Sequence, residues 1–308
     1  LLNCSQLNLT NQYLIKIFMR FKETLQQHLK DLLSESELEL LPRGFQTLED
    51  VIIINLKPEL LEKRHEIARA YLELLPYIKS VWGKVFGESM VVGKFRTPTG
   101  LEHLAGEKKS EVIVVENKVK FKHDFTKIIF SKGNVNERSL LPTKVKPGEI
   151  ILDMFAGIGY FSLMIGKHAK PKKIHAIELN PVSYQYLVEN ITLNDLKDVI
   201  TPHHGDCADV TDNLVEKKNF KADRIIMGVF PAPKQYLSHA LDAVNYDKGT
   251  VIHYEGKVSE ENIDPLLSHI TESVKMHGNA SDVELLEYRF VKNVGVRMQH
   301  AVLDVRIS

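Results

Sequence analysis

Beyond residue 148 the chain alternates short β-branched runs with stretches of helical spacing, and this alternation leaves few folds open. Runs at 149–154, 173–178, 199–203, 223–228 and 249–254 read as strands. Helical spacing covers 160–168, 182–194, 233–244 and 259–277. Five strands with four helical stretches between and after them imply an α/β fold with a parallel, doubly wound sheet. Two last runs, 283–290 and 300–307, have no helix between them and predict a closing hairpin with one antiparallel edge strand.

The N-terminal part follows another pattern. Residues 1–14 are polar and read as a frayed end. Phe18, Phe21, Leu25, Leu29 and Leu32 keep helical spacing and predict a helix over 15–34. A strand at 51–54, a helix at 59–77 behind Pro58, and strands at 80–85, 113–117 and 119–123 complete a small α+β module, with Trp82 in its core. Asn117-Lys118 between two alternating runs reads as a hairpin turn. The expected division is a tail and helix at 1–44, the small module at 45–122 and the α/β domain at 123–308.

Composition excludes several classes. With 44% hydrophobic and 26% charged residues, long-range disorder is excluded. No apolar run is long enough for a membrane span, so no membrane partner is expected, and Leu1–Gln6 lacks the pattern of a secretory leader. Cys4 and Cys207 are the two cysteines, which excludes a disulfide framework and a Cys-based zinc site and fits a reducing, cytoplasmic setting. Lys+Arg and Asp+Glu both number 40, so global charge announces no nucleic-acid partner. Locally, 118–146 holds eight basic side chains against two acidic ones. That stretch is either a solvated strand edge or a phosphate-contacting surface, with Lys118, Lys120 and Lys122 as its leading contacts.

The chemistry gathers at Asp153-Met154-Phe155-Ala156-Gly157-Ile158-Gly159, which closes one strand and opens a helix. Gly157 and Gly159 permit a tight turn and close approach of backbone to a ligand, beside the free N–H groups of a helix start. Glu178 ends the next strand, 21 residues after Gly157, where a carboxylate can accept both ribose hydroxyls of a nucleoside. Dinucleotide sites carry a third glycine for the pyrophosphate, and here that position is Ser162. A methionine sulfonium tail needs no such approach, so the motif favours S-adenosylmethionine, with Asp153 and Phe155 among its lining. By analogy, the architecture is that of class I S-adenosylmethionine-dependent transferases, a Rossmann-like domain.

Two further segments carry candidates. At Gly205-Asp206-Cys207 an acid past the third strand can accept the adenine amino group; its bland reading is a helix N-cap. In Phe130-Ser131-Lys132-Gly133-Asn134-Val135-Asn136-Glu137-Arg138, Ser131 and the Arg138 fork can hold a carboxylate, and Glu137 can be a base or an arginine partner. The bland reading is a capped helix start with a surface ion pair.

Phe130-Ser131-x-x-Asn134-x-x-Glu137-Arg138, the 153–159 turn, Met227-Gly228 and Ile252-His253-Tyr254 together resemble the archaeal tRNA wybutosine-synthesis transferases, relatives of the tRNA guanine-37 N1-methyltransferases. The resemblance spans roughly 35–308. It implies transfer of the 3-amino-3-carboxypropyl group of S-adenosylmethionine to C7 of 4-demethylwyosine at position 37 of phenylalanine tRNA. It matches Ser131, Arg138, Glu178, Asp206 and Cys207 to cofactor-contacting positions. The N1-methyltransferases carry Asn-Pro-Pro or Asn-Leu-Pro after the fourth strand, whereas Met227-Gly228-Val229-Phe230 offers no amide to place a guanine edge. Pro231-Ala232-Pro233 and Ser139-Leu140 depart from the usual pattern.

The sulfonium sulfur bears three carbons, so the choice between methyl and aminocarboxypropyl transfer is mainly one of orientation. Arg138 and Ser131 would hold the moving arm, and 5′-methylthioadenosine would be left. Glu137 and His253 are the candidate bases for the ring proton. Tyr160, Phe230 and Tyr254 are candidate stacking platforms, with Met227 and Gly228 beside the target base. The expected partner is tRNA and the expected state a monomer. The alternatives are the sibling N1-methyltransferase, a bifunctional enzyme, or a nucleic-acid-binding module with a degenerate pocket.

Overall fold

The computed structural model describes residues 21–84, 97–130, 132–279 and 282–308. The expected frayed end, the start of the first predicted helix, Cys4, Val85 and Ser131 lie outside them. The chain divides into two units, one running to Val114 and including His123–Ile129, the other made of Val115–Lys122 and Phe130–Ser308. Among the described residues no helix is long and apolar enough to cross a membrane.

In the first unit, helix α1 (21–29) precedes α2 (Glu35–Leu40), whose start is fixed by a reciprocal capping box between Ser34 and Glu37. Strands β1 (Gln46–Leu48), β2 (Val51–Asn55), β3 (Ser80–Lys84) and β4 (Leu101–Gly106) pair in sequence order. β2 and β3 are parallel and are joined through a 3-10 turn (Pro58–Lys63) and helix α3 (Arg64–Leu74). The continuous apolar run of β2 has a cause: Ile52 and Ile54 pack toward Leu25, Ile67 and Tyr71, while Val51 and Ile53 pack toward Trp82 and Phe125. Trp82 is core, as its sequence context suggested, and its Nε1 donates to Ser80 Oγ and to Lys109 O at 3.0 Å each.

β5 (Glu111–Glu116) and β6 (Val119–Asp124) form the expected hairpin, with Asn117 and Lys118 in the left-handed region at φ 47° and 66°. The hairpin is shared between the units: one boundary falls after Val114, a second after Lys122 and a third after Ile129. The cause is a pair of side-chain amides on helix α6 (Pro181–Leu193) and its C-cap. Asn190 Oδ1 accepts from Lys122 N at 2.7 Å and its Nδ2 donates to Lys122 O at 3.1 Å. Asn194 does the same for Lys120, at 2.9 and 2.8 Å. The two amides replace a neighbouring strand.

The second unit adds α4 (Val135–Lys144), β7 (Ile150–Asp153), α5 (Ser162–His168), β8 (Lys173–Glu178), β9 (Ile200–His204), α7 (Cys207–Lys218), β10 (Arg224–Met227), α8 (Leu237–Asp242), β11 (Thr250–Ser259), α9 (Asp264–His277), β12 (Val283–Gly295) and β13 (Met298–Ile307). The sheet order is β12-β13-β11-β10-β7-β8-β9, with β7 to β11 parallel. The antiparallel strand is β13, and it lies between β11 and β12 rather than at the edge. Burial explains the correction: 301–305 of β13 is buried throughout, whereas β12 exposes Leu286 and Tyr288. The chain runs outward from β7 to β9 and returns at β10, so the crevice where the strand order reverses opens beside β7 and β10.

Candidate functional site

The turn after β7 is rigid by construction. Asp153 is fully buried and accepts from Ser162 Oγ at 2.6 Å, and burial pushes its carboxyl up to about 6. It therefore ties strand to helix beneath the turn and presents no surface to a ligand. Gly157 and Gly159 hold φ 57° and 97°, and a Cβ would stand 2.6 Å from the Tyr160 ring at the first and 2.7 Å from Leu163 at the second. Glu178 is fixed by backbone: it accepts from Gly157 N at 2.8 Å and from Asn180 N at 2.7 Å. Burial raises its pKa, and these N–H groups oppose the rise. Each oxygen keeps a further lone pair for a hydroxyl. Asp206 at the end of β9 caps α7, accepting from Ala208 N at 3.1 Å. Cys207 is buried and burial pushes its thiol up, so its place is packing. Phe155 packs edge-on to Tyr236, ring centroids 5.4 Å apart.

Arg138 is 2% exposed, and its Nε and Nη2 donate to the two oxygens of Glu116 at 2.8 and 2.9 Å. The guanidinium also lies 5.0 Å from the centroid of Phe130. Its first partner is thus a carboxylate of this chain. Tyr160 belongs to the same aromatic group, 6.4 Å from Phe121 and 5.8 Å from Phe130.

Glu137 and His253 are brought together, in a buried charged cluster that sequence reasoning did not anticipate. Arg289 of β12 donates to both Glu137 oxygens and, through Nη1, to Asp304 at 2.7 Å. His253 faces Asp304 Oδ1 at 2.9 Å with Nδ1 and Glu255 Oε1 at 3.3 Å with Nε2. Burial alone would lower the pKa of His253, but the hydrogen bonds to Asp304 and Glu255 raise it to about 9. His253 therefore holds its proton at neutral pH and orients two carboxylates rather than accepting a proton. Glu137, with both oxygens bound to Arg289, anchors the first turn of α4. Burial acts to raise the pKa of Glu255, yet hydrogen bonds from His253 and His300 bring it down to about 2. The alternation of β12 and β13 signals which residues share a face, but not that β12 turns Arg289 inward.

The residues beside the expected target base separate. Met227 and Tyr254 are fully buried, and the Tyr254 hydroxyl meets His269 Nδ1 at 3.2 Å. Both are core, because β10 and β11 are interior strands covered on that face by α8 and α9. Gly228 and Phe230 are partly exposed, on the loop after β10. Lys118 and Lys120 are exposed, while Lys122 pairs with Glu189 at 3.0 Å.

This fold and this set of strand-end groups define a class, the Rossmann-like S-adenosylmethionine-dependent transferases. Two family profiles match the chain: the TRM5/TYW2 methyltransferase domain over residues 112–286 and the TYW2 N-terminal domain over 25–109. The chain belongs to the TRM5/TYW2 family. It is 35% identical, over 93% of its length and 97% of the relative's, to the tRNA(Phe) (4-demethylwyosine(37)-C(7)) aminocarboxypropyltransferase of Pyrococcus horikoshii. It is 34% identical to the tRNA (guanine(37)-N(1))-methyltransferase Trm5b of Pyrococcus abyssi, over 87% of this chain and 76% of that one. The crystal structure of P. horikoshii TYW2 in complex with MeSAdo superposes with a TM-score of 0.75 at 32% identity, over 93% of this chain and 98% of that one.

Proposed function

We propose that this chain is a tRNA-modifying transferase that moves the 3-amino-3-carboxypropyl group of S-adenosylmethionine to C7 of 4-demethylwyosine in tRNA(Phe), releasing 5′-methylthioadenosine. One observation carries the reading: the full-length match to an enzyme of that name, on a chain whose strand-end groups suit a nucleoside. S-adenosylmethionine is the co-substrate, and its sulfonium supplies an electrophilic carbon and a neutral leaving group.

The chain's own residues bind and orient. Glu178, preset by two backbone N–H groups, accepts the ribose hydroxyls without reorganising. Asp206 takes the adenine amino group, and the turn through Phe155, Gly157 and Gly159 brings backbone against the nucleoside. Ser131 and Arg138 direct the arm's carboxylate, with Glu116 holding the guanidinium in plane. Gly228 brings no amide to the target base, and Phe230 is its stacking surface. Lys118 and Lys120 contact phosphates of the tRNA around position 37. The enzyme acts as a monomer in the cytoplasm, where the two cysteines stay reduced.

Chromatography of the cofactor product tests this directly. After incubation with tRNA bearing 4-demethylwyosine, methylthioadenosine is expected. S-adenosylhomocysteine would overturn the reading in favour of a methyltransferase or bifunctional enzyme of the same family, which the match to Trm5b supports.

A further inference from the structure

The charged cluster holds one imidazole that differs from His253. His300 of β13 is fully buried, and its Nε2 lies 3.0 Å from Glu255 Oε2. A carboxylate only accepts, so Nε2 carries the ring proton. Among the described residues Nδ1 is buried and meets no hydrogen-bond partner. Left so, it is a burden that folded proteins keep where a ligand or function answers it.

The surroundings of this nitrogen belong to the loop assigned to the target base. The Phe230 ring stands edge-on to His300 with centroids 4.5 Å apart. A Cβ at Gly228 would lie 3.4 Å from the Glu255 carboxyl carbon and 3.0 Å from Phe161, so the absent side chain lets the backbone of this loop close down on that carboxylate. In register across the sheet, His300 is flanked by Lys257 and Lys292. The Lys257 ammonium lies 5.9 Å from the Phe230 ring centroid, and Lys292 reaches over Gly133 of the loop before α4. An orphan acceptor and an aromatic ring thus meet below one loop, with Lys257 and Lys292 in register on either side of His300.

We propose that Glu255 and His300 form a dyad in which His300 Nδ1 accepts the proton leaving the target ring carbon. The inference rests on the transferase reading given above. C7 of the base attacks the γ-carbon of the arm. The new carbon–carbon bond forms as the carbon–sulfur bond breaks, and its electron pair stays on sulfur. The ring is left as a cation. Its C7–H bond then returns two electrons to the ring, and the proton passes to His300 Nδ1. The imidazolium so formed sits against anionic Glu255, while Nε2–H holds the ring orientation throughout.

The test uses the full chain, S-adenosylmethionine and precursor tRNA with hydrogen or deuterium at C7. In His300→Gln the amide still donates to Glu255, so the melting temperature and the affinities for both substrates should change little. Turnover should fall about 10²-fold, the scale of losing a general base. A primary deuterium isotope effect on kcat, absent in the wild type, should appear as proton loss becomes limiting. Should glutamine disturb the fold, His300→Phe keeps the ring contact with Phe230 and is expected to show the same isotope effect. Wild-type turnover in a folded variant, or slow turnover without an isotope effect, would overturn the dyad alone. Failure of the unmodified chain to form methylthioadenosine would overturn the transferase reading and the dyad with it.

Discussion

Arg138 and Glu116 meet in a two-pronged pair, Nε to Oε2 at 2.8 Å and Nη2 to Oε1 at 2.9 Å, with the guanidinium 2% exposed. Removing one partner strands the other charge in a buried place, at a cost of about 3–5 kcal/mol. Arg138→Ala should therefore lower stability in urea unfolding, and Glu116→Ala added to it should recover part of the loss. Aminocarboxypropyl transfer should fall about 10²-fold with methylthioadenosine binding nearly kept, because the adenosine anchors are elsewhere. Arg138→Lys should rescue poorly, since a point charge cannot meet two oxygens at once. Full transfer activity in the alanine variant would mean that the arm is held by other groups.

Glu178→Ala should weaken S-adenosylmethionine binding at least tenfold by calorimetry, since a charge-assisted hydrogen bond contributes about 1.5–3 kcal/mol. Glu178→Gln tests charge separately from shape, because the amide still accepts with one atom. Unchanged affinity in both variants would remove Glu178 from the ribose.

The buried cluster should make stability depend on pH in a set window. His253 is raised from its ordinary 6.5 to about 9, so its contribution is fully present below 6.5 and is lost as pH rises through 9. Glu255 is lowered from 4.5 to about 2, so its contribution is present above 4.5 and is lost as pH falls through 2. The difference in urea midpoint between wild type and His253→Gln should be largest between pH 4.5 and 6.5 and should shrink toward pH 9. A difference constant across that range would place the proton of His253 elsewhere.

Of the three lysines on the hairpin, Lys118 and Lys120 are exposed, whereas Lys122 is paired with Glu189. Replacing the first two with alanine should weaken tRNA binding and reduce the salt slope by up to about 2. Lys122→Ala should leave the slope nearly unchanged and cost at most about 1 kcal/mol of stability. Equal slopes for the double variant and the wild type would leave that edge merely solvated.

Asn190 and Asn194 are buried, and each serves one N–H and one C=O of β6. Alanine at either site should cost about 1–3 kcal/mol, the penalty for stranding buried polar groups. Amide hydrogen exchange at Lys120 and Lys122 should accelerate in the double variant, and protection at wild-type level would show that the strand is held by its apolar side chains alone.

The strands of the second unit were legible because their β-branched runs are short and bounded, whereas β1 and β4, which lack such a run, were not; the 157–159 turn was legible because its backbone conformations call for glycine. Helix α7 was not called, since Cys207–Lys218 is mostly polar and only its cap, Asp206, stood out. Helix α4 was legible only as a helix start within 130–138, because Pro142 inside it breaks the pattern that would extend it. The position of β13 required knowing which of the last two strands is buried on both faces. Glu178 was legible for a related reason: its place follows from the end of a strand. Arg289, Asp304, Glu255 and His300 were not, because their meaning lies in cross-strand neighbours 15 to 152 positions apart in the chain.

Where the amides of Asn190 and Asn194 meet β6, they grip its main chain and none of its side chains. The strand is therefore docked without regard to which side chains it carries outward. Position 120, exposed and gripped only through its backbone, is free to exchange one charge for another with little penalty to the fold. A segment held in this way works as an interchangeable rim: its register is fixed by the protein, while its outward chemistry is left to whatever it must touch.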